Sequence, residues 1–184
     1  MRVALAVMGL ALVLGGCGQS AEPANDGADN NGAAAASADG AVPTTALWAG
    51  GAKRPLELQS AHPNGVVLQL TSLQSSPTET TIGLRVINGR DKAVELNRFN
   101  NSRNGYLVLD TGEKLYLSPP ASNAKLSIEA GQTLEGQLVV LGRLPKAKTA
   151  VLVLNENGQT DSEYTNTPSY RINLPLGSLE GGQG

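Results

Sequence analysis

The chain has 184 residues, a formal net charge of −2, 40% hydrophobic but only 3% aromatic residues, one cysteine and one histidine. With no second thiol, a disulfide framework and a Cys-rich zinc site are excluded. One imidazole, His62, is left for any triad, and no basic excess invites nucleic acid. In chain order, Met1-Arg2 precedes an uncharged run of apolar and small residues from Val3 to Leu14. That run has the length of a signal-peptide core and is too short for a stop-transfer helix. Small residues Gly15 and Gly16 follow, and then the lone Cys17.

Leu14-Gly15-Gly16-Cys17 resembles the lipobox of bacterial lipoproteins. The resemblance implies that signal peptidase reads Leu14, Gly15 and Gly16 and cuts after Gly16. It also implies that the Cys17 thiol receives diacylglycerol and that the new amino group is acylated. Each buried methylene contributes roughly 0.8 kcal/mol, so two or more chains hold a protein where one would not. A plain secretory signal with a chance cysteine is the alternative. Gly18, not Asp, follows Cys17, which in Gram-negative relatives points to the outer rather than the inner membrane.

Residues 17–52 are expected to be the lipidated cysteine and a flexible tether of Ala, Gly, Asn and Asp, with four acids and no Lys or Arg before Lys53. Such composition buries too little surface to offset the entropy of ordering. A coil of about 35 residues reaches roughly 30 Å. Val42 to Trp48 is more apolar and reads either as the first ordered stretch, with Trp48 a loose edge plug, or as exposed linker.

From Lys53 the pattern changes to short alternating runs. Leu56/Leu58, Val66/Leu68/Leu70, Ile82/Leu84/Val86, Val94/Leu96 and Tyr106–Leu109 come first. Lys114–Leu117, Leu126/Ile128, Leu134–Leu141, Ala150–Leu154 and Tyr170/Ile172/Leu174 complete them. Turn residues separate the runs: His62-Pro63-Asn64-Gly65, Asn88-Gly89, Asp110-Thr111-Gly112-Glu113 and Ala130-Gly131. Many short strands with such turns predict an antiparallel sandwich or barrel. The expected organisation is a signal peptide over 1–16, the tether over 17–52, an all-β domain over 53–176 and a disordered tail over 177–184.

The order of three segments carries a second resemblance: Ile82-Gly83-Leu84-Arg85-Val86-Ile87-Asn88-Gly89, then Tyr106 to Tyr116, then Ile128-Glu129-Ala130-Gly131-Gln132 with Gly136 to Val140. It is similar to the DUF4352-type immunoglobulin-like domains of exported lipoproteins, over roughly residues 66–174. It is less similar to the intracellular proteinase inhibitor family of bacilli. The first resemblance implies an immunoglobulin-like β-sandwich acting as a binding or accessory module. The second implies an inhibitor.

Little chemistry is legible beside this. His62 lies in a turn with no nucleophile motif near it and is expected to be exposed. Asp110-Thr111-Gly112 after an apolar strand matches the aspartic-protease signature, with Leu141-Gly142-Arg143 as a later partner element. Glu113 stands where those enzymes place Ser or Ala, and the gap to Leu141 is about half of theirs. A hairpin turn accounts for the same residues. Residues 155–163 are rich in oxygen donors, but they lack the EF-hand spacing and read as a solvated loop.

Residues 53–176 hold 13 of the 14 basic and 11 of the 16 acidic residues. Arg85, Arg90, Lys92, Arg98 and Arg103 either line one edge or are scattered surface charge. The expectation is a lipid-anchored envelope protein with a non-catalytic module. It has no cofactor, metal or nucleic acid, a membrane contact through Cys17, and an envelope protein or glycan as partner. A protease-inhibitor module is the alternative, and an aspartic protease using Asp110 a remote one.

Overall fold

A computed structural model describes residues 43–180 except 100 and 102. The signal peptide over 1–16, Cys17, most of the tether and residues 181–184 lie outside the described residues.

The alternating runs form ten strands. They are β1 (Arg54–Ala61), β2 (Val66–Ser75), β3 (Glu79–Asn88), β4 (Val94–Glu95), β5 (Tyr106–Leu109), β6 (Lys114–Ser118), β7 (Ser127–Ile128), β8 (Thr133–Leu141), β9 (Ala150–Leu154) and β10 (Tyr170–Leu174). Every pairing between strands is antiparallel. The main sheet runs β1-β2-β3-β8-β6-β5-β9-β10, and β4 pairs with β7. Within that order, β2-β3-β8-β6 and β5-β9-β10 follow the A-B-E-D and C-F-G arrangement of an immunoglobulin constant-type sandwich. β1 is an added strand on the A side. The protein is all-β, as its turn-punctuated runs predict.

β6 joins the two layers. Its first half, Lys114 to Tyr116, pairs with β5, whereas Leu117 and Ser118 pair with Val140 and Val139 of β8. Pro119-Pro120 ends it, because proline donates no N–H to a ladder. Thr71 bulges out of β2 opposite an irregularity in β1. Gly83 fits there because a Cβ would stand 2.4 Å from Ser72 Oγ and 2.6 Å from Thr71 Oγ1.

Leu68, Leu70, Ile82, Leu84, Val86, Leu138 and Val140 share one buried cluster with Leu107, Leu109, Leu152, Leu154, Ile172 and Leu174. Each such side chain stabilises the fold by roughly 1.5–3 kcal/mol. The Tyr170 hydroxyl donates to the Val66 carbonyl at 3.0 Å and so ties β10 to β2.

Packing extends beyond 53–176 at both ends, and the expected boundaries move. Leu47 and Trp48 are buried in the core rather than part of a free tether. Trp48 N–H donates to the Leu144 carbonyl at 2.9 Å, and its Nε1–H donates to the Leu176 carbonyl at 3.2 Å. Positive φ at Ala49, Gly50 and Gly51 turns the chain from this plug into β1. The residues after 176 are not simply a tail, because a short helix, α1 (Leu176–Glu180), follows β10 and packs Leu179 against the core. Among the described residues no helix is long and apolar enough to cross a membrane.

Candidate binding site at the loop end

The strand directions gather the connections at two ends. Ile87 pairs with Thr133, and Leu154 with Tyr170. Loops 89–105, 119–132 and 155–169 therefore share one end, with the 62–65 turn. The shorter connections 76–78, 110–113 and 142–149 share the other, the base.

Asparagines that follow strands brace the loop end. Asn88 Nδ2 donates to the carbonyls of Lys92, Ile128 and Glu129, at 2.9 to 3.0 Å. Its Oδ1 accepts Arg90 N–H. Asn155 Nδ2 donates to the Glu95 and Pro168 carbonyls, and its Oδ1 accepts Arg98 N–H. Asn97 reaches the Ala124 carbonyl, and Asn64 the Thr165 carbonyl. Each buried carboxamide satisfies main-chain groups that irregular loops would leave unpaired, at about 1–3 kcal/mol per orphan.

His62 belongs to this bracing and is not the exposed turn residue expected from the sequence. It is 6% exposed. Its Nδ1 accepts Asn64 N–H, leaving Nε2 as the N–H that donates to the Gln159 carbonyl at 3.1 Å. The imidazole thus fastens the 62–65 turn to loop 155–169.

A cleft opens beside this scaffold. β8 pairs with β3 along its whole length but with β6 only at Val139 and Val140. Over Thr133–Leu138 its second edge has no strand partner among the described residues, because Pro119-Pro120 has led the chain away. The space left is a cavity of about 220 Å³. Leu84, Leu126 and Leu134 supply its apolar surface, Pro120, Ser122 and Asn123 one wall, and Glu135, Gly136 and Gln137 the other. A Cβ at Gly136 would meet nothing within 4 Å.

Leu126 holds φ +50 while only 3% exposed, a strained conformation for a branched side chain. Asn123 fixes it: its carbonyl accepts Leu126 N–H, and its side chain exchanges two bonds with Ser127. Two more open depressions lie against the irregular β1–β2 pairing, and neither is bounded by the braced loops.

Exposed aromatics mark the same end. Tyr164 is 81% exposed in loop 155–169, and Arg90 donates to the carbonyls of Tyr164 and Thr165 to brace that loop. Phe99, 45% exposed, lies beneath the Arg98 guanidinium at 5.7 Å. On β5 and β6, Lys114 Nζ stands 4.0 Å from the Tyr106 ring centre, and Arg103 stands 5.1 Å from that of Tyr116. The Tyr106 hydroxyl donates to Glu156. This hydrogen-bonded setting raises the Lys114 pKa, mainly through the Tyr106 hydroxyl, with a smaller charge contribution from Glu156.

Asp110-Thr111-Gly112-Glu113 is the β5–β6 turn, with Gly112 at φ +86, and Asp110 Oδ2 accepts Lys148 N–H at 3.1 Å. Arg85, Arg90, Lys92, Arg98 and Arg103 do not share one edge: Arg85 pairs with Glu135 across β3 and β8, while the others belong to the loop end. Among the described residues no three His, Cys, Asp or Glu side chains are grouped to hold a metal. Residues 155–163 act instead through Asn155 and Gln159 as bracing. Leu14, Gly15, Gly16 and Cys17 lie outside the described residues.

No protein-family model matches the chain, and no curated protein matches it. Among solved structures it is similar to a functionally unknown protein from Listeria monocytogenes EGD-e. The identity is 15% and the TM-score 0.45, covering 73% of this chain and 93% of that one.

Asn88 carries a turn signal in the sequence, whereas its role as a clamp emerges only in the folded chain. Asn97 and Asn155 also follow apolar runs, and that placement is the signal that points to them. Phe99 and Tyr164 carry no signal, because exposure depends on how the loops pack.

Proposed function

We propose that the chain is a lipid-anchored, non-catalytic binding module of the cell envelope, and that its loop end holds an extended segment of a partner polypeptide. The open β8 edge beside the apolar cleft carries this reading. A strand laid along Thr133–Leu138 gains main-chain hydrogen bonds, and one of its apolar side chains descends past Gly136 toward Leu84 and Leu126. The braced loops hold that geometry ready, which lowers the ordering cost of binding. Anchoring rests on the lipobox-like Leu14-Gly15-Gly16-Cys17, and Gly18 favours the outer membrane.

A photo-crosslinker at Gln137 in cells is expected to capture one envelope polypeptide. Gly136→Leu fills the cleft without a backbone clash at its Cβ, and is expected to abolish capture with the melting temperature unchanged. Undiminished capture by that variant sinks the cleft reading. Fatty-acid labelling of the wild type tests the anchor separately. Absence of label at Cys17 removes the lipoprotein reading.

A second reading, a protease inhibitor, is favoured by Tyr164, which stands exposed on a loop braced by Arg90. Inhibition of a chymotrypsin-like protease that disappears in Tyr164→Ala would select it.

A further inference from the structure

We infer that the base of the sandwich is a docking surface for anionic phospholipid headgroups, a proposal that rests on the lipid-anchored reading and adds a second membrane contact to it. The segment before β1 and the β8–β9 loop are bonded to each other there, through Trp48 N–H to the Leu144 carbonyl and a bridge between Leu47 and Pro145. Residues 43–54 carry Lys53 and Arg54, and residues 142–149 carry Arg143, Lys146 and Lys148; neither segment contains a carboxylate. Among the described side chains, Glu79, Asp110 and Glu113 are the acids of the same end, and Asp110 is engaged by the Lys148 main chain.

Among the described residues, four of the eight cations away from the base are paired with a glutamate, whereas Arg90, Lys92, Arg103 and Arg171 form no ion pair. Arg85, Arg98, Lys114 and Lys125 are each within 4.0 Å of a glutamate. None of the five base cations forms an ion pair among the described residues. Arg54 Nε is buried with no hydrogen-bond acceptor there. Beside them Leu141, at the end of β8, is 58% exposed. Unpaired cations around an exposed leucine fit a surface of negative charge over hydrocarbon.

Chain connectivity points the same way. The upstream chain joins the domain at the base, so residues 18–42 alone separate Cys17 from it. Surface cations contribute about 1 kcal/mol each near an anionic leaflet, and one acyl chain binds only reversibly, so the two contacts reinforce each other.

The test uses the chain from Gly18 onward without lipid, so that its result is independent of whether Cys17 is acylated. It is mixed with vesicles of phosphatidylcholine alone or with added phosphatidylglycerol. Cosedimentation is expected only with the anionic vesicles and is expected to be lost at high salt. Arg143→Glu/Lys146→Glu/Lys148→Glu is expected to weaken it by at least about a hundredfold at an unchanged melting temperature. Lys125→Glu, at the loop end, is expected to leave it intact. Equal binding to both vesicle types, no binding, or equal binding by the triple variant overturns the proposal. Retention on a polyanionic polysaccharide without vesicle binding also overturns it and identifies a glycan instead.

Discussion

The Tyr170 hydroxyl donates to the Val66 carbonyl inside the sandwich, and burial raises its pKa above the ordinary 10.0. Below that value both folded and unfolded chains keep the proton, and the group adds no pH dependence. Above it the unfolded chain releases the proton first, so stability falls as pH rises. Tyr170→Phe is expected to cost about 0.5–1.5 kcal/mol near neutral pH through the lost hydrogen bond. It is also expected to flatten the alkaline decline, so that the gap to wild type narrows between about pH 8 and about pH 11. Urea melts across that range check both effects, and a constant gap would contradict the assignment. Asn155 works differently. It serves three main-chain groups at once, so its worth lies in the groups it keeps from being orphaned and not in its own contacts.

Among the elements, the segment before β1 departs most from its sequence reading. Alanine, glycine and threonine around Leu47-Trp48 offer no period, and although Val42 to Trp48 is more apolar than the rest, the boundary expected from the sequence lies at 53. Yet Trp48 is 0% exposed and fills the base between Leu144 and Leu176. A chain beginning at residue 43 is therefore expected to melt with the full-length one. A chain beginning at 53 is expected to lose on the order of 3–5 kcal/mol, the cost of deleting a buried tryptophan. Thermal melts of the two truncations decide it; equal melting temperatures would return the segment to the tether. β6 teaches a related lesson. Pro119-Pro120 reads as the end of a strand, which it is, but its larger consequence is the uncovered edge of β8.

For the molecule as a whole, the described residues fall in one compact unit, and β6 pairs with both layers. No layer can separate without breaking a shared strand, which predicts one cooperative transition. Trp48, the single tryptophan, reports from the base, whereas far-ultraviolet circular dichroism reports from all strands. The two unfolding curves are expected to coincide. Tryptophan fluorescence changing first would mean that the base opens as a separate unit. The two ends of this unit also differ in kind: one is braced by asparagines around a cleft, the other is plugged by Trp48 and carries five cations without an ion pair among the described residues.

The strands and their antiparallel class were legible because a strand buried on one face must alternate, and because Gly, Pro, Asn and Asp mark where it turns. The Asp110–Glu113 hairpin was legible for the same local reason, and the Cys17 expectation rests entirely on a local motif. The cleft was not, because it arises from what fails to pair, and pairing joins residues far apart in the chain. Leu126 looks like any strand leucine until Asn123 and Leu96 hold it at positive φ. His62 was misread as exposed, and Trp48 was left between a loose plug and exposed linker, for one reason: burial is conferred by distant partners, Gln159 for one and Leu176 for the other. Local sequence determined which segments could be strands and turns, while tertiary packing alone decided which loops met, which edge stayed open and which cations were left without a partner.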